Sequence, residues 1–259
     1  MPQPALSEEQ QARLARLVTA LDSDPRYATG SRRFPGHVSQ QEVAAVAAAL
    51  ADEFDGGVEA RARLAERQGL HIACDIGCDS CCHIVVSAYA PEILRIVQFL
   101  DQPENAAERR GFLSRYAAWR ERVGKEVDAL PDLLSRGKQA DFDAAQLALW
   151  RKGALCAFNE GGVCTIYPVR PIACRNAHAL DTSTHCVPDP PQGKPPGAVD
   201  FVPLSRFLTK AKRLLHAAHN AVSPPAQRHQ QEALCVGVYR RLSPSPATGT
   251  AADPATARD

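Results

Sequence analysis

Nine cysteines stand in this chain of 259 residues, and eight of them fall into two blocks. The first reads Cys74-Asp75-Ile76-Gly77-Cys78-Asp79-Ser80-Cys81-Cys82. The second holds Cys156, Cys164, Cys174 and Cys186, with seven, nine and eleven residues between successive members. A thiolate is the soft ligand that zinc, copper(I) and iron–sulfur clusters prefer. The C-x2-C unit of Cys78 and Cys81 has metal-binding spacing, because a tight turn brings both sulfurs to one ion. Gly77 supplies the backbone freedom for that turn. Cys81 and Cys82 are chain neighbours whose side chains are expected to diverge. That suits two metal centres, a polynuclear cluster, or one ligand beside one free or buried thiol.

In the second block Asn159-Glu160-Gly161-Gly162 reads as a turn that folds Cys164 back toward Cys156. Pro168 and Pro171 stiffen the segment that carries Cys174. Arg170 and Arg175 flank that cysteine and would offset the negative charge of clustered thiolates, while Tyr167 would orient the loop. All eight block cysteines are therefore metal-ligand candidates: Cys74, Cys78, Cys81, Cys82, Cys156, Cys164, Cys174 and Cys186. His83, His178 and His185 each lie close enough to a cysteine to replace a thiolate, though a polar or capping role is the commoner use of such a residue. Cys235 stands apart on the apolar face of a helix and reads as a core residue.

The elements that must position these residues are helical. Ser7 with Gln10 opens an amphipathic helix over 7–21, and a Pro/Gly-broken loop follows to residue 38. Ser39 with Glu42 forms a second capping box and opens an Ala-rich helix to Phe54. Gly56-Gly57 is expected to interrupt it before a short helix to Gln68. After the first block, His83 to Ala88 is a connector. Pro91 then opens a helix with Ile93, Leu94, Val97 and Leu100 on its apolar face. A helix over about 104–130 carries Phe112, Tyr116, Trp119 and Val123 on one stripe, and Pro131 is expected to end it. Helices over about 141–152, 204–220 and 226–242 complete the pattern, with a Pro/Gly-rich stretch between Cys186 and Pro203. The fold class is thus mostly α: an irregular helical domain with a loop-rich cysteine-cluster metal site at its centre. The expected organisation is N-terminal helices over 1–69, a cysteine-cluster domain over 70–242, and a disordered tail over 243–259.

Composition narrows the function classes. Thirty basic and 29 acidic residues give a net charge of +1, so overall charge offers no reason for tight nucleic-acid or membrane binding. The arginines between 109 and 122 alternate with aromatics, but those aromatics follow helical spacing and read as core. The longest uninterrupted apolar run, Val43 to Ala51, is far short of the ~18 residues of a membrane span. No secretory signal is legible at the N-terminus. A cytoplasmic protein is expected, in which thiols stay reduced and disulfides are disfavoured.

With these residues in view, the chain resembles the YkgJ-like CxxCxxCC proteins, which are described as zinc- or iron-chelating domains. The first block followed by His83 is similar to their signature, as is Ser87-Ala88-Tyr89-Ala90-Pro91-Glu92 leading into a helix. Cys164-Thr165-Ile166-Tyr167 with Arg170-Pro171 and Cys174-Arg175 resembles the family's second core, and Cys156 and Cys186 stand at its outer cysteines. The likeness spans roughly residues 70–190. Three residues, not two, separate Cys74 from Cys78, which leaves the role of Cys74 the least defined. The resemblance implies a metal-binding protein holding zinc or iron, the iron including an iron–sulfur cluster. An enzyme with cluster chemistry, related to flagellin lysine methylases, is one alternative, and a zinc-stabilised scaffold for a protein partner is another.

Overall fold

The computed structural model describes residues 39–67, 72–74, 77–176, 178–179, 186–189, 205–228 and 230–243. The helix expected over 7–21, the loop after it, most of the Pro/Gly-rich stretch and the tail beyond Ser243 lie outside the described residues. Seven α-helices are described: α1 (Gln40–Arg67), α2 (Ala90–Leu100), α3 (Ala106–Ser135), α4 (Gln139–Arg151), α5 (Ile172–Arg175), α6 (Ser205–Val222) and α7 (Leu234–Leu242). Four two-residue strands join them: β1 (Ser87–Ala88), β2 (Asn159–Glu160), β3 (Val163–Cys164) and β4 (Glu232–Ala233). The mostly helical class expected from the sequence is what the chain adopts.

α2 is the centre of the packing, because it is apolar on two faces. Ile93, Ile96 and Leu100 join one cluster with Phe112, Tyr116, Trp119, Val123, Val127 and Leu130 of α3, Leu149 of α4 and the buried side of α7. Leu94, on the other face, meets Val43 and Ala44 of α1 and Ala218 of α6. Side chains buried this completely stabilise by about 1.5–3 kcal/mol each. Phe112 stacks on Phe158 at 4.1 Å between ring centroids, and Tyr116 stacks on Tyr239 at 3.9 Å. The aromatic stripe of α3 is therefore core, not a nucleic-acid face. Gly237 of α7 lets that helix pack closely on α2: a Cβ there would meet Ile93 Cδ1 at 2.5 Å.

Three helix boundaries differ from expectation, each for a tertiary reason. α1 runs unbroken through Gly56-Gly57. Phe54 is fully buried and Val58 packs against the same cluster, and that burial outweighs the ~1 kcal/mol that each glycine costs a helix. α3 continues past Pro131 to Ser135. The proline forgoes one backbone bond, but Val127 and Leu130 anchor the preceding turn at 2% exposure each. The last helix begins at Leu234, not near 226. The segment before it is drawn into β4, which pairs antiparallel with β1 as Ser87↔Ala233 and Ala88↔Glu232. Leu234 N–H then donates to Val86 C=O at 2.8 Å. No local pattern announces a pairing across that much chain.

Two polar links hold the frame. Glu92 is 6% exposed and closes a capping box at the start of α2, accepting from Tyr89 N–H at 2.9 Å. Its other oxygen accepts from Ile172 N–H at 2.9 Å, so one carboxylate ties α2 to α5. His219 is fully buried on α6. Its Nδ1 accepts from Ala90 N–H at 3.1 Å, which makes Nε2 the protonated nitrogen, donating to Gln227 C=O at 3.0 Å.

Candidate functional site

The first cysteine block is a loop pinned at both ends. Ala73 N–H donates to Ala179 C=O at 2.8 Å, and Ala179 N–H returns to the Cys74 sulfur at 3.0 Å. Gly77 has φ +96°, a left-handed turn open to glycine at little cost. A single 3-10 turn, Ser80–His83, then carries Cys81 and Cys82. Gln146 of α4 clasps the chain just beyond by both hydrogen bonds to Val85, at 3.1 and 2.7 Å.

The second block is brought onto the first by its backbone. Cys156 N–H donates to Cys82 C=O at 2.7 Å. β2 and β3 form a two-residue hairpin whose tip glycines, Gly161 and Gly162, have φ +60° and +87°. Two positive φ values in succession are what such a turn requires. The tip presses against the first block, since a Cβ on Gly162 would lie 3.5 Å from Gly77 O. The expected turn thus exists, and it sets Cys164 opposite Asn159. A 3-10 turn over Tyr167–Val169 and then α5 carry the chain to Cys174.

Arg170 and Arg175 divide the work expected of them. Arg175 is 2% exposed and braces the loop: Nε donates to Arg170 C=O at 2.7 Å, Nη2 to Pro168 C=O at 2.6 Å, and Nη1 to Asp55 of α1. Arg170 is the cation that acts on the sulfurs, favouring the thiolates of Cys74, Cys82, Cys164 and Cys174. It rests 3.9 Å above the ring of Tyr167, which is 55% exposed.

None of the nine cysteines is in a disulfide. Their mutual influence sorts them into two groups. Cys82, Cys156, Cys164 and Cys174 act on one another. Cys74 and Cys186 feel Cys78. Cys81 lies between, feeling Cys82, Cys174 and Cys74. Burial pushes Cys164 up to about 11 and raises Cys74, Cys174 and Cys186. Cys156 is raised first by its contact with Cys235 and then by burial. Cys82 alone is pulled down, to about 7, because the Cys81 thiol interacts with it and is itself driven up.

Cys235 is the residue that sequence reading placed only in the core. It is buried there, and its sulfur also lies 3.5 Å from that of Cys156. Seventy-nine positions separate the two, so no spacing signalled the contact. Asn159 was read only as part of a turn. Its side-chain oxygen accepts from Gly162 N–H at 3.0 Å, while its buried amide nitrogen lacks a regular hydrogen bond and instead favours the Cys82 thiolate. His83 Nδ1 is buried without a hydrogen-bond partner, His178 is 8% exposed, and His185 lies outside the described residues.

Eight soft thiols with one guanidinium among them fit zinc or iron in donor chemistry. Among the described residues, no three His, Cys, Asp or Glu side chains stand together as a ready-made metal cage. No helix among them is long and apolar enough to cross a membrane. No family model, curated protein or solved structure matches the chain.

Proposed function

We propose that this is a metal-binding protein whose two cysteine blocks hold zinc or iron, the iron including an iron–sulfur cluster, as in the YkgJ-like proteins its motifs resemble. The observation that carries this reading is the meeting of the two blocks. Cys156 is bonded to Cys82 through the backbone, the hairpin tip of one block rests on Gly77 of the other, and Arg170 acts on thiols of both. Neighbouring thiols oppose one another's ionisation, as the raised Cys164 and Cys174 illustrate. A bound cation reverses that balance and deprotonates its ligands outright.

Eight block thiols are twice the four of one closed site, which suits two centres. Cys82, Cys156, Cys164 and Cys174 would serve the first, Cys74, Cys78, Cys81 and Cys186 the second, and the adjacent Cys81 and Cys82 would divide between them. Four thiolates are the closed set of a structural zinc site and of an iron–sulfur cluster alike. A metal here would supply either cross-linking of the loops or, as a cluster, electron transfer. Arg170 would partly neutralise the thiolates, and Arg175 would hold the Cys174 loop to α1. A cytoplasmic location belongs to this reading, since it keeps the thiols reduced.

The test is elemental analysis with an absorption spectrum on full-length protein purified without oxygen. Stoichiometric zinc, or iron with sulfide and a brown colour, supports the reading. Protein that is metal-free yet folded would overturn it, as would full metal content in the Cys78→Ser, Cys81→Ser, Cys174→Ser triple variant.

A further inference from the structure

A cavity of about 210 Å³ lies behind α5, bounded by the start of α2, by α6 and by the residues before β4. It is smaller than the ~300–1,000 Å³ of drug-sized sites, which selects an occupant of metabolite size. Ile172, Leu208 and Leu215 form its apolar floor. Ser87, Tyr89, Asn176 and Gln231 contribute hydroxyl and amide groups around it.

The charges around this cavity are unequal. Glu92 is the one carboxylate among its lining residues, and both its oxygens are occupied by the backbone N–H groups of Tyr89 and Ile172. Lys212 is the one cation among them, and it is exposed. No described residue forms an ion pair or hydrogen bond with its ammonium. A single ammonium beside amide and hydroxyl donors matches a carboxylate, while an apolar floor matches a short carbon chain.

We propose that this cavity binds a small organic acid, its carboxylate held by Lys212 with the Asn176 and Gln231 amides and its carbon chain on Ile172, Leu208 and Leu215. The site is independent of what the thiols hold, but the two are close. Ile172, Ala173 and Asn176 line the cavity, and Cys174 leaves the same short helix. A ligand seated here would touch the segment that carries a proposed metal ligand.

Titration of the full-length, 15N-labelled protein with acetate, succinate and glutamate tests this, with succinamide as the uncharged control. Calorimetry and amide shifts are the readouts. Saturable binding of at least one acid is expected, with shifts centred on Ser87, Ala173, Asn176 and Gln231. Lys212→Glu, at an exposed position, should weaken that binding about tenfold or more, and Leu208→Trp should abolish it by filling the cavity. Circular dichroism checks that both variants fold. Absence of saturable binding by all three acids would overturn the proposal. So would succinamide binding as tightly as succinate, or unchanged affinity in Lys212→Glu.

Discussion

The helical core and the cysteine centre are built by opposite means. Around α2 the side chains meet each other's needs: Ile93, Ile96 and Phe112 are fully buried, and Phe112 stacks on Phe158. In the cysteine centre the backbone is well tied, but the side chains are not satisfied. Thiols face thiols, most of them resisting ionisation, and the buried His83 Nδ1, Asn159 Nδ2 and Arg170 Nε lack regular hydrogen-bond partners. Buried polar atoms normally find partners. The helical side leaves Glu108 Oε2 and Arg115 Nη2 of α3 unmet as well, so what sets the cysteine centre apart is its gathering of thiols that resist ionisation, not the number of unmet atoms.

The largest effect that would sharpen this contrast is in the core. Phe112→Ala should cost about 3–5 kcal/mol in urea unfolding, from lost burial and the cavity left beside Phe158. If the core stands without metal, the loss should be the same with and without a chelator. A chelator-dependent loss would break the separation between the two regions.

Arg175→Ala acts at the seam between them. It removes hydrogen bonds to the Arg170 and Pro168 carbonyls and the pair with Asp55, at a cost of about 2–3 kcal/mol. Asp55 is 44% exposed and recovers solvation, which holds the loss below that of a fully buried pair. Arg175→Lys should recover little, since an ammonium cannot reproduce the planar fork. Urea unfolding of the pair of variants checks both expectations.

How much of this was legible beforehand depends on the range of each interaction. The Ser39–Glu42 capping box is local, and it forms as read: Glu42 N–H donates to Ser39 Oγ at 3.2 Å, and Ser39 N–H to Glu42 Oε2 at 2.8 Å. The aromatic stripe of α3 and the Gly161-Gly162 turn were likewise visible in spacing alone, whereas on α2 Ile96 was missed and Leu94 faces a second cluster. The continuation of α1 through two glycines was not, because the decision rests on packing of Phe54 and Val58 in a cluster shared with α5 and α6. The pairing of β4 with β1, the second cap made by Glu92, and the Cys156–Cys235 contact join positions far apart in the chain. For the cysteine centre, residue types and blocks were legible, whereas the grouping of sulfurs needed the fold.

Cys235 tests which region owns a shared residue. It packs in the core cluster and touches Cys156. Cys235→Ala should cost about 1–2 kcal/mol, the loss of a small buried side chain. Metal content by elemental analysis should stay unchanged, since the two proposed centres already have four thiolates each. A fall in metal content would move Cys235 from the core into the centre.

The smallest effect is a slope. Burial raises Glu92 above the ordinary carboxylate range, opposed in part by the Tyr89 and Ile172 N–H groups and by Arg175 and Arg95. Between the unfolded value, about 4.3, and the higher folded value, the folded chain binds more proton than the unfolded one. Stability contributed by this group therefore falls as pH rises through that window and levels off above it. Glu92→Gln cannot titrate, so its stability should lack this component, although it also loses one acceptor and sits lower by a constant amount. Wild-type stability minus variant stability, measured in urea at a series of pH values from 4 upward, should decline with pH. A difference that rises with pH would mean that the two N–H groups outweigh burial, and that the link between α2 and α5 is held by a carboxylate favoured in its charged form.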